Sequence, residues 1–467
     1  MGFLQVVSAV TQMLLPRLKF RPALVALLLC LLFPPGLLSQ RTPAADPQVL
    51  TLEEAVDLAS RQNRQIRISV LEVEKLDENV SAFRTHRLPE FKLALLGSML
   101  LTPVSFEFQQ GAFGCCYPNV GPIPAQDTSI TTPRRPTGYF LNSVSQPLSQ
   151  LYKISLSLHS HELARDISRE DLRQKRHEVR NQVTRLYYEL AQTQSALDAS
   201  TQAVEFYTEL DRVTDQFLLQ QVVLKADSID VKMRLAREQL ETVKRRNDLE
   251  TQQERLNQLL GRDLRLRFRV SPTLSPSLAE LDLSVAQARA LEQRPELRQA
   301  QLKNQQAEYD RRAKKAEYIP DVSLSVQHLS FVNVEMLPSN VASAGLSLTW
   351  EPFDWGRKRH ELAEKTKAVE QSVAALHETE AQVLVDVDAQ FRKVQETFAS
   401  VRVTQLAMEA AKEKLRVTGD AYRLQAVRLD QVLEAQTGVA SSAAQYQRAQ
   451  SSYWQARADL EKATGED

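Results

Sequence analysis

The sequence predicts a mainly α fold with some β, built as two tandem copies of one unit. Three observations carry this. First, a phrase recurs: "QFLLQQVVLKAD" from Gln216 and "AYRLQAVRLDQV" from Ala421. Setting Phe217 on Tyr422 pairs Leu219/Leu424, Gln220/Gln425, Val222/Val427 and Leu224/Leu429, all at an offset of 205. Second, from Ser155 to Phe217 the chain has neither Pro nor Gly, and apolar residues recur at three-four spacing. Third, a few short stretches alternate apolar with polar or small residues, the period of a strand with one buried face.

The chain of 467 residues opens like an exported protein. Arg17, Lys19 and Arg21 precede an apolar run from Ala23 to Phe33, followed by "PPGLLSQ". A membrane-spanning helix needs roughly 20 apolar residues, so this run reads as a signal peptide over residues 1–40. Its basic region is long, which makes Met13 a candidate start. No later stretch reads as a transmembrane helix, so any entry into a membrane is expected through strands. Charges balance, 58 basic against 58 acidic, which excludes an electrostatic case for nucleic acid. Of three cysteines, Cys30 lies in the signal behind Leu29, where acylation would want a small residue. Cys115 and Cys116 are adjacent rather than spaced as a metal or redox pair would be, and read as an exposed loop.

Self-similarity orders the rest. "LTLEEAVDLASRQNRQIRIS" from Leu50 matches "LDLSVAQARALEQRPELRQA" from Leu281 at an offset of 231, which Pro89 and Pro320 keep. Pro147 and Pro352 stand 205 apart, so copy one carries 26 extra residues between Leu101 and Gly138; Gly261 and Gly465 close the copies 204 apart. The expected organisation is a first repeat over 41–270, a Pro-rich linker over 271–280 and a second repeat over 281–467. Each copy reads helix, strand, loop, strand, long helix, turn, helix.

In copy two, Val322, Leu324 and Val326 alternate with Ser323, Ser325 and Gln327. Ala344, Leu346, Leu348 and Trp350 alternate with Gly345, Ser347 and Thr349. Phe91, Leu93 and Leu95 hold the matching places in copy one. In the long helices, Val179, Val183, Leu186, Leu190, Thr193, Leu197 and Val204 form a coiled-coil seam, as do Val383, Val387, Val394, Phe398 and Val401. Residues 155–217 as one helix span about 95 Å, too long for a compact domain. Two shorter helices, Thr51–Leu88 and Lys225–Leu260, would stack end to end to cover that seam.

Four strands cannot close, and roughly eight is the membrane minimum. Open edges on an apolar-faced sheet invite pairing. Three chains supply twelve strands, so a trimeric twelve-strand transmembrane β-barrel continued by a helical tube is expected. The two-copy plan, the strand pairs and "AYRLQAVRLDQVLEAQ" together resemble the TolC-type outer-membrane efflux proteins over nearly the whole mature chain. The resemblance implies a homotrimeric duct in the outer membrane with its α-barrel in the periplasm. It implies a periplasmic adaptor, an inner-membrane pump and outer-membrane lipid as partners, with no catalytic activity and no cofactor. The duct would serve a tripartite efflux or type I secretion system.

On that pattern the repeated phrase is the periplasmic tip. The aperture tyrosine falls on Tyr422 and the second acidic position on Glu434. The first acidic position falls on Gln431, beside Asp430; the arginine falls on Val427, beside Arg428. In copy one the acidic position falls on Ala226, beside Asp227. The tip glycines fall on Gln220 and Gln425. The adaptor-contact turns would be Gln220, Gln221 and Val222, and Gln425, Ala426 and Val427. The alternative is a non-conducting envelope-spanning coiled-coil protein, but a rod needs no apolar-faced strands. An exported enzyme is disfavoured: seven histidines are scattered, and His159 and His161 would point apart on a helix.

Overall fold

The structure, a computed structural model, describes residues 48–114, 118–221, 223–271, 282–334, 338–424 and 426–466. The signal segment, Cys115 and Cys116, and all of the linker but Ser271 lie outside these residues. Copy one runs β1 (Gln48–Leu50), α1 (Leu52–Gln62), α2 (Arg64–Arg84), a 3-10 turn (Thr85–Arg87), β2 (Glu90–Met99), β3 (Val104–Phe108), β4 (Thr128–Thr132), β5 (Pro136–Pro147), α3 (Gln150–Leu219), α4 (Lys225–Leu260) and β6 (Phe268–Val270). Copy two runs α5 (Leu283–Gln293), α6 (Pro295–Ala316), β7 (Asp321–Val332), β8 (Asn340–Thr349), α7 (Arg357–Arg423) and α8 (Leu429–Thr464).

The first short helix expected over Thr51–Leu88 is instead broken at Asn63. Thr51 opens α1 with a reciprocal cap: its hydroxyl accepts from Glu54 N, and Glu54 accepts from Thr51 N. Asn63 then adopts φ −64°, ψ 128°, accepts from Gln65 N and Ile66 N, and donates to the Leu259 carbonyl at 2.7 Å. Copy two breaks at Arg294 with φ −64°, ψ 127°, followed by Pro295 at the first helical position. Arg294 reaches Asp386 at 2.9 Å. Each break receives the glycine that ends its copy. Gly261 (φ 73°) lies so close that a Cβ would sit 2.3 Å from the Gln62 carbonyl oxygen. At Gly465 (φ 77°) the nearest atom, the Gln293 carbonyl carbon, is 3.1 Å away. Both copies therefore lock their last helix onto the break in their first.

Copy one carries a parallel strand pair too short for the sequence to announce, Leu50 opposite Val270 in β1 and β6. The Tyr187 hydroxyl ties it down, donating to Leu50 O and accepting from Ser271 N, each at 3.1 Å. Leu50, Val179, Val183, Leu190, Leu256 and Phe268 form the core at this level. Val383, Val387, Val394 and Val401 are likewise buried in copy two. These residues belong to the valine-rich seam that the three-four spacing picks out.

The helices pack in a row. Nearer the strands the order is α2, α3, α6, α7; toward the far end it is α4, α3, α8, α7. His159 stacks on Tyr309 of α6 while His161 lies against Phe83 of α2, so the two histidines do point to different neighbours. The four long strands form one antiparallel sheet, β2-β5-β7-β8. Its register places Phe91, Val144, Val326 and Ala344 side by side, with Leu93, Leu95, Leu324, Leu346 and Leu348 on the same face. The other face carries Lys92, Ser143, Ser325, Gln327 and Ser347. Leu95 and Leu346 are 74% and 71% exposed, a wall of apolar side chains with no protein over it. The extra residues of copy one form a separate hairpin of β3 and β4. Among the described residues no helix is long and apolar enough to cross a membrane.

Replacing Gly261 by Ala forces a Cβ into the Gln62 carbonyl at a left-handed φ. The expected cost is about 2–4 kcal/mol. Gly465→Ala meets a looser contact and should cost visibly less. Comparing the two thermal melting temperatures checks this ordering; equal losses would mean the break in copy one is not locked by close approach.

Candidate functional site

The far end of the helical row is where both repeats turn back, and where the sequence places its candidate residues. α3 ends at Leu219; its cap Gln220 has φ −87°, ψ 4°, and Gln221 takes the left-handed φ of 58°. Leu224 then opens α4 in extended conformation. In copy two, Leu424 caps α7 with φ −86°, ψ 7°, and Arg428 opens α8. The Ala426 N–H returns to the Ala421 carbonyl at 2.9 Å. Gln220 thus corresponds to Leu424 and Leu224 to Arg428, an offset of 204. The repeated letters match at 205, but the turns match one residue earlier. The left-handed residue, the place for a turn glycine, is consequently Gln221 rather than Gln220. Val222 and Gln425 lie outside the described residues.

Phe217 and Tyr422 face one another across the two hairpins, ring centroids 6.1 Å apart. Beneath them lie Tyr207, Leu210, Val231 and Leu433, all buried. Tyr422 is half-buried, and its hydroxyl interacts with the fully buried Thr214 without closing hydrogen-bond geometry. Burial pushes the Tyr422 phenol above its ordinary pKa and Asp227 adds to the shift, so it stays neutral at physiological pH.

Above this aromatic floor opens a cleft of 440 Å³, walled by Asp227, Asp230, Val427, Arg428 and Asp430. Asp227 and Asp430 come from different repeats, 203 residues apart, and meet here. Asp227 accepts from Leu224 N at 3.1 Å, Asp230 pairs with Arg234 at 3.0 Å, and Arg428 sits 3.6 Å from Asp430. Gln431 and Glu434 are not brought into the cleft; Glu434 is exposed and 3.5 Å from Lys414. The sequence reading missed Asp230, although its i+3 spacing from Asp227 places both on one helix face. It also missed the prominence of Leu219 and Leu424, 85% and 80% exposed at the ends of α3 and α7. Among the described residues, no three His, Cys, Asp or Glu converge as a metal site.

The two hairpins are clamped unequally. In copy one Asp215 of α3 accepts from Ser228 at 2.8 Å and from Lys232 at 3.0 Å, both on α4. At the offset of 204 the counterpart of Asp215 is Gly419, so copy two lacks this pair and joins α7 to α8 through Lys414 and Glu434 at 3.5 Å instead.

Two segments of the chain, residues 55–262 and 287–466, match the family model described as outer membrane efflux protein. The first lies within copy one and the second within copy two. The structure is similar to the outer-membrane channel OprN, with 17% identity and a TM-score of 0.73 over 89% of this chain and 90% of that one. It is similar to the Campylobacter jejuni CmeC outer membrane channel, with 15% identity and a TM-score of 0.74 over 96% and 94%. The open state of the Neisseria gonorrhoeae MtrE outer membrane channel gives 16% and 0.68 over 89% and 88%. No curated protein matches by sequence.

The Lys232 and Ser228 hydrogen bonds hold the Asp215 carboxyl below its usual pKa. A depressed folded-state pKa means that the clamp contributes fully above the unfolded value, about 3.9, and is lost as pH falls through the lower folded value. Hydrogen-exchange protection at the end of α3 should therefore hold from pH 7 to the unfolded pKa and drop below it. Asp215→Asn should show reduced protection already at pH 7, with a flatter pH response. Equal protection in both proteins would remove the clamp.

Proposed function

This chain belongs to the outer membrane efflux protein family, and from that premise we propose that three copies close into one duct. The duct passes substrates passively from an inner-membrane pump and its periplasmic adaptor to the exterior. The observation that carries this reading is the matching of open edges at every level. On one side the chain leaves β2, α2 and α4 uncovered; on the other it leaves β8 and α7 uncovered. Exposed apolar side chains lie on these elements: Ile68 and Leu71 on α2, Met233 and Leu240 on α4, Val403 and Leu406 on α7. β8 runs opposite to β2, so the β8 edge of one copy can continue the β2 edge of the next as an antiparallel sheet.

The count follows from the lumen. Two copies would give eight strands, and an interior that side chains fill; three give twelve and leave room for a channel. The apolar sheet face then meets lipid and the serine-rich face lines the lumen. The helical rows become a tube in the periplasm.

At the tip, three-fold symmetry repeats the cleft of Asp227, Asp430, Arg428 and Tyr422 around one axis. Like charges converging there favour cations and need basic neighbours to remain closed. Gln431 and Glu434 line the same approach once neighbouring copies stand beside them. The turns, with Gln220, Gln221, Val222, Gln425, Ala426, Val427 and the protruding Leu219 and Leu424, are the surface offered to the adaptor.

Purified assemblies in planar bilayers test this. The wild-type protein should conduct weakly and be blocked by polyvalent cations. Asp430→Ala with Glu434→Ala should raise single-channel conductance and weaken the block, while the assembly survives, because its seams lie elsewhere. Unchanged conductance and block would place the constriction away from the tip.

A further inference from the structure

The two repeats share one strand-pairing scheme, and its offsets reach a contact that a single chain leaves open. β2 pairs with β5, Phe91 opposite Val144; β7 pairs with β8, Val322 opposite Leu348. The second pair is the first moved by 231 residues on one strand and 204 on the other. The buried helix seams keep the 204, Val179 with Val383 and Val183 with Val387. The remaining pair, β5 with β7, joins the second long strand of copy one to the first of copy two, with Ser145 opposite Ser325 and Pro147 opposite Ser323. Its symmetry mate joins β8 to a β2 that must come from another chain. Moving Ser145 and Pro147 by +204 gives Thr349 and Glu351; moving Ser325 and Ser323 by −231 gives Ala94 and Lys92.

We propose that β8 of each protomer pairs antiparallel with β2 of the next in one register, Thr349 opposite Ala94 and Glu351 opposite Lys92, sealed by Arg357 on Glu90. This rests on the duct reading above and adds its interface.

Two observations not used to obtain the register agree with it. It sets Leu348 opposite Leu95, both on the apolar face, and Ser347 opposite Leu96 on the other; a slip of one residue would turn apolar side chains to the wrong face. It also sets an acid opposite a base. In the single chain these charges are held on their own sides, Glu351 by Arg357 at 2.6 Å and Lys92 by Glu90 at 2.9 Å. Lys358 also lies 3.5 Å from Glu351, and each open edge thus presents charges of both signs to interleave with those of the other.

The corner below the strands repeats the pattern. Inside the chain, Lys153 at the start of α3 crosses the β5–β7 seam to Asp321 at 2.6 Å and to the Ile319 carbonyl at 2.9 Å. The same offsets carry Lys153 to Arg357 and Asp321 to Glu90, which keep the opposite charges. One seam of this kind is visible within the chain, and its mate closes the ring.

Cross-strand Cα atoms of an antiparallel pair lie about 4.5–5.5 Å apart, within disulfide reach. Within one chain β2 and β8 are three strand spacings apart, about 14 Å, so a cysteine introduced on each of these strands cannot link internally. Thr349→Cys with Ala94→Cys, in the full chain with Cys115→Ser and Cys116→Ser, should oxidise to covalent dimers and trimers on a denaturing gel. Thr349→Cys with Leu96→Cys, two residues out of register, should give several-fold less. Light scattering on the same samples reads the assembly independently. Trimers with stronger linkage in the out-of-register variant, or with none in either, overturn this register and leave the duct standing; monomers alone overturn both. A double-mutant cycle reads the charges. Glu351→Gln and Lys92→Gln should each lower the temperature at which trimers dissociate, and together lower it by less than their sum. Strict additivity removes the Glu351–Lys92 pair from the proposal.

Discussion

The outer backbone edges of β2 and β8 govern this molecule. A strand in lipid has no water to satisfy its N–H and C=O groups, and each unsatisfied group costs several kcal/mol. The sheet β2-β5-β7-β8 satisfies its two inner strands completely and its two outer strands by half. Among the described residues no loop or helix covers either outer edge, and the face exposing Leu95 and Leu346 offers nothing polar instead. In the proposed duct those edges meet another copy. The helical rows end in the same condition, with α2 and α4 open on one side and α7 on the other.

The duplication explains how one short unit meets this need. In the proposed duct, a unit of two strands, a long helix and its two partial partners builds one sixth of the ring, and the tandem pair builds one third. Two differences between the copies fall at the ends. Copy one carries the β3–β4 hairpin beyond the sheet. At the tip, copy one holds its hairpin with Asp215, Ser228 and Lys232, while copy two has Gly419 and Gly438 within α7 and α8. Glycine weakens a helix interior by roughly 1 kcal/mol relative to alanine. The α7–α8 hairpin is joined instead by Lys414 and Glu434 at 3.5 Å, and it carries Tyr422, Arg428 and Asp430.

Much of this was legible in the sequence because the forces involved are periodic. The valine seam declares a long helix, since burial every three or four residues is what packing against a partner requires. Val322, Leu324 and Val326 declare a strand by alternation. The break at Asn63 was not legible: it depends on a side chain that caps α2 and also reaches Leu259, 196 residues away. The β1–β6 pair is three residues long, too short for any period to register. At the candidate site the repeated phrase located the turns but set the left-handed position of copy one a residue early. Its letters repeat at 205, while the buried valines that fix the helices repeat at 204. That shift moves the left-handed turn position of copy one from Gln220 to Gln221. It left Asp230 and Thr214, which line and underlie the cleft, without any sequence signal beyond helical spacing.

The central claim is that this chain is one third of a closed tube. Native mass measurement of the protein extracted from outer membranes tests it most directly. The account predicts a single species of three chains, persisting on dilution because each chain contributes half of two lipid-buried strand seams. A stable monomer, or an open distribution of dimers and larger aggregates, would contradict it, since β2 and β8 would then have found some other way to satisfy their edges.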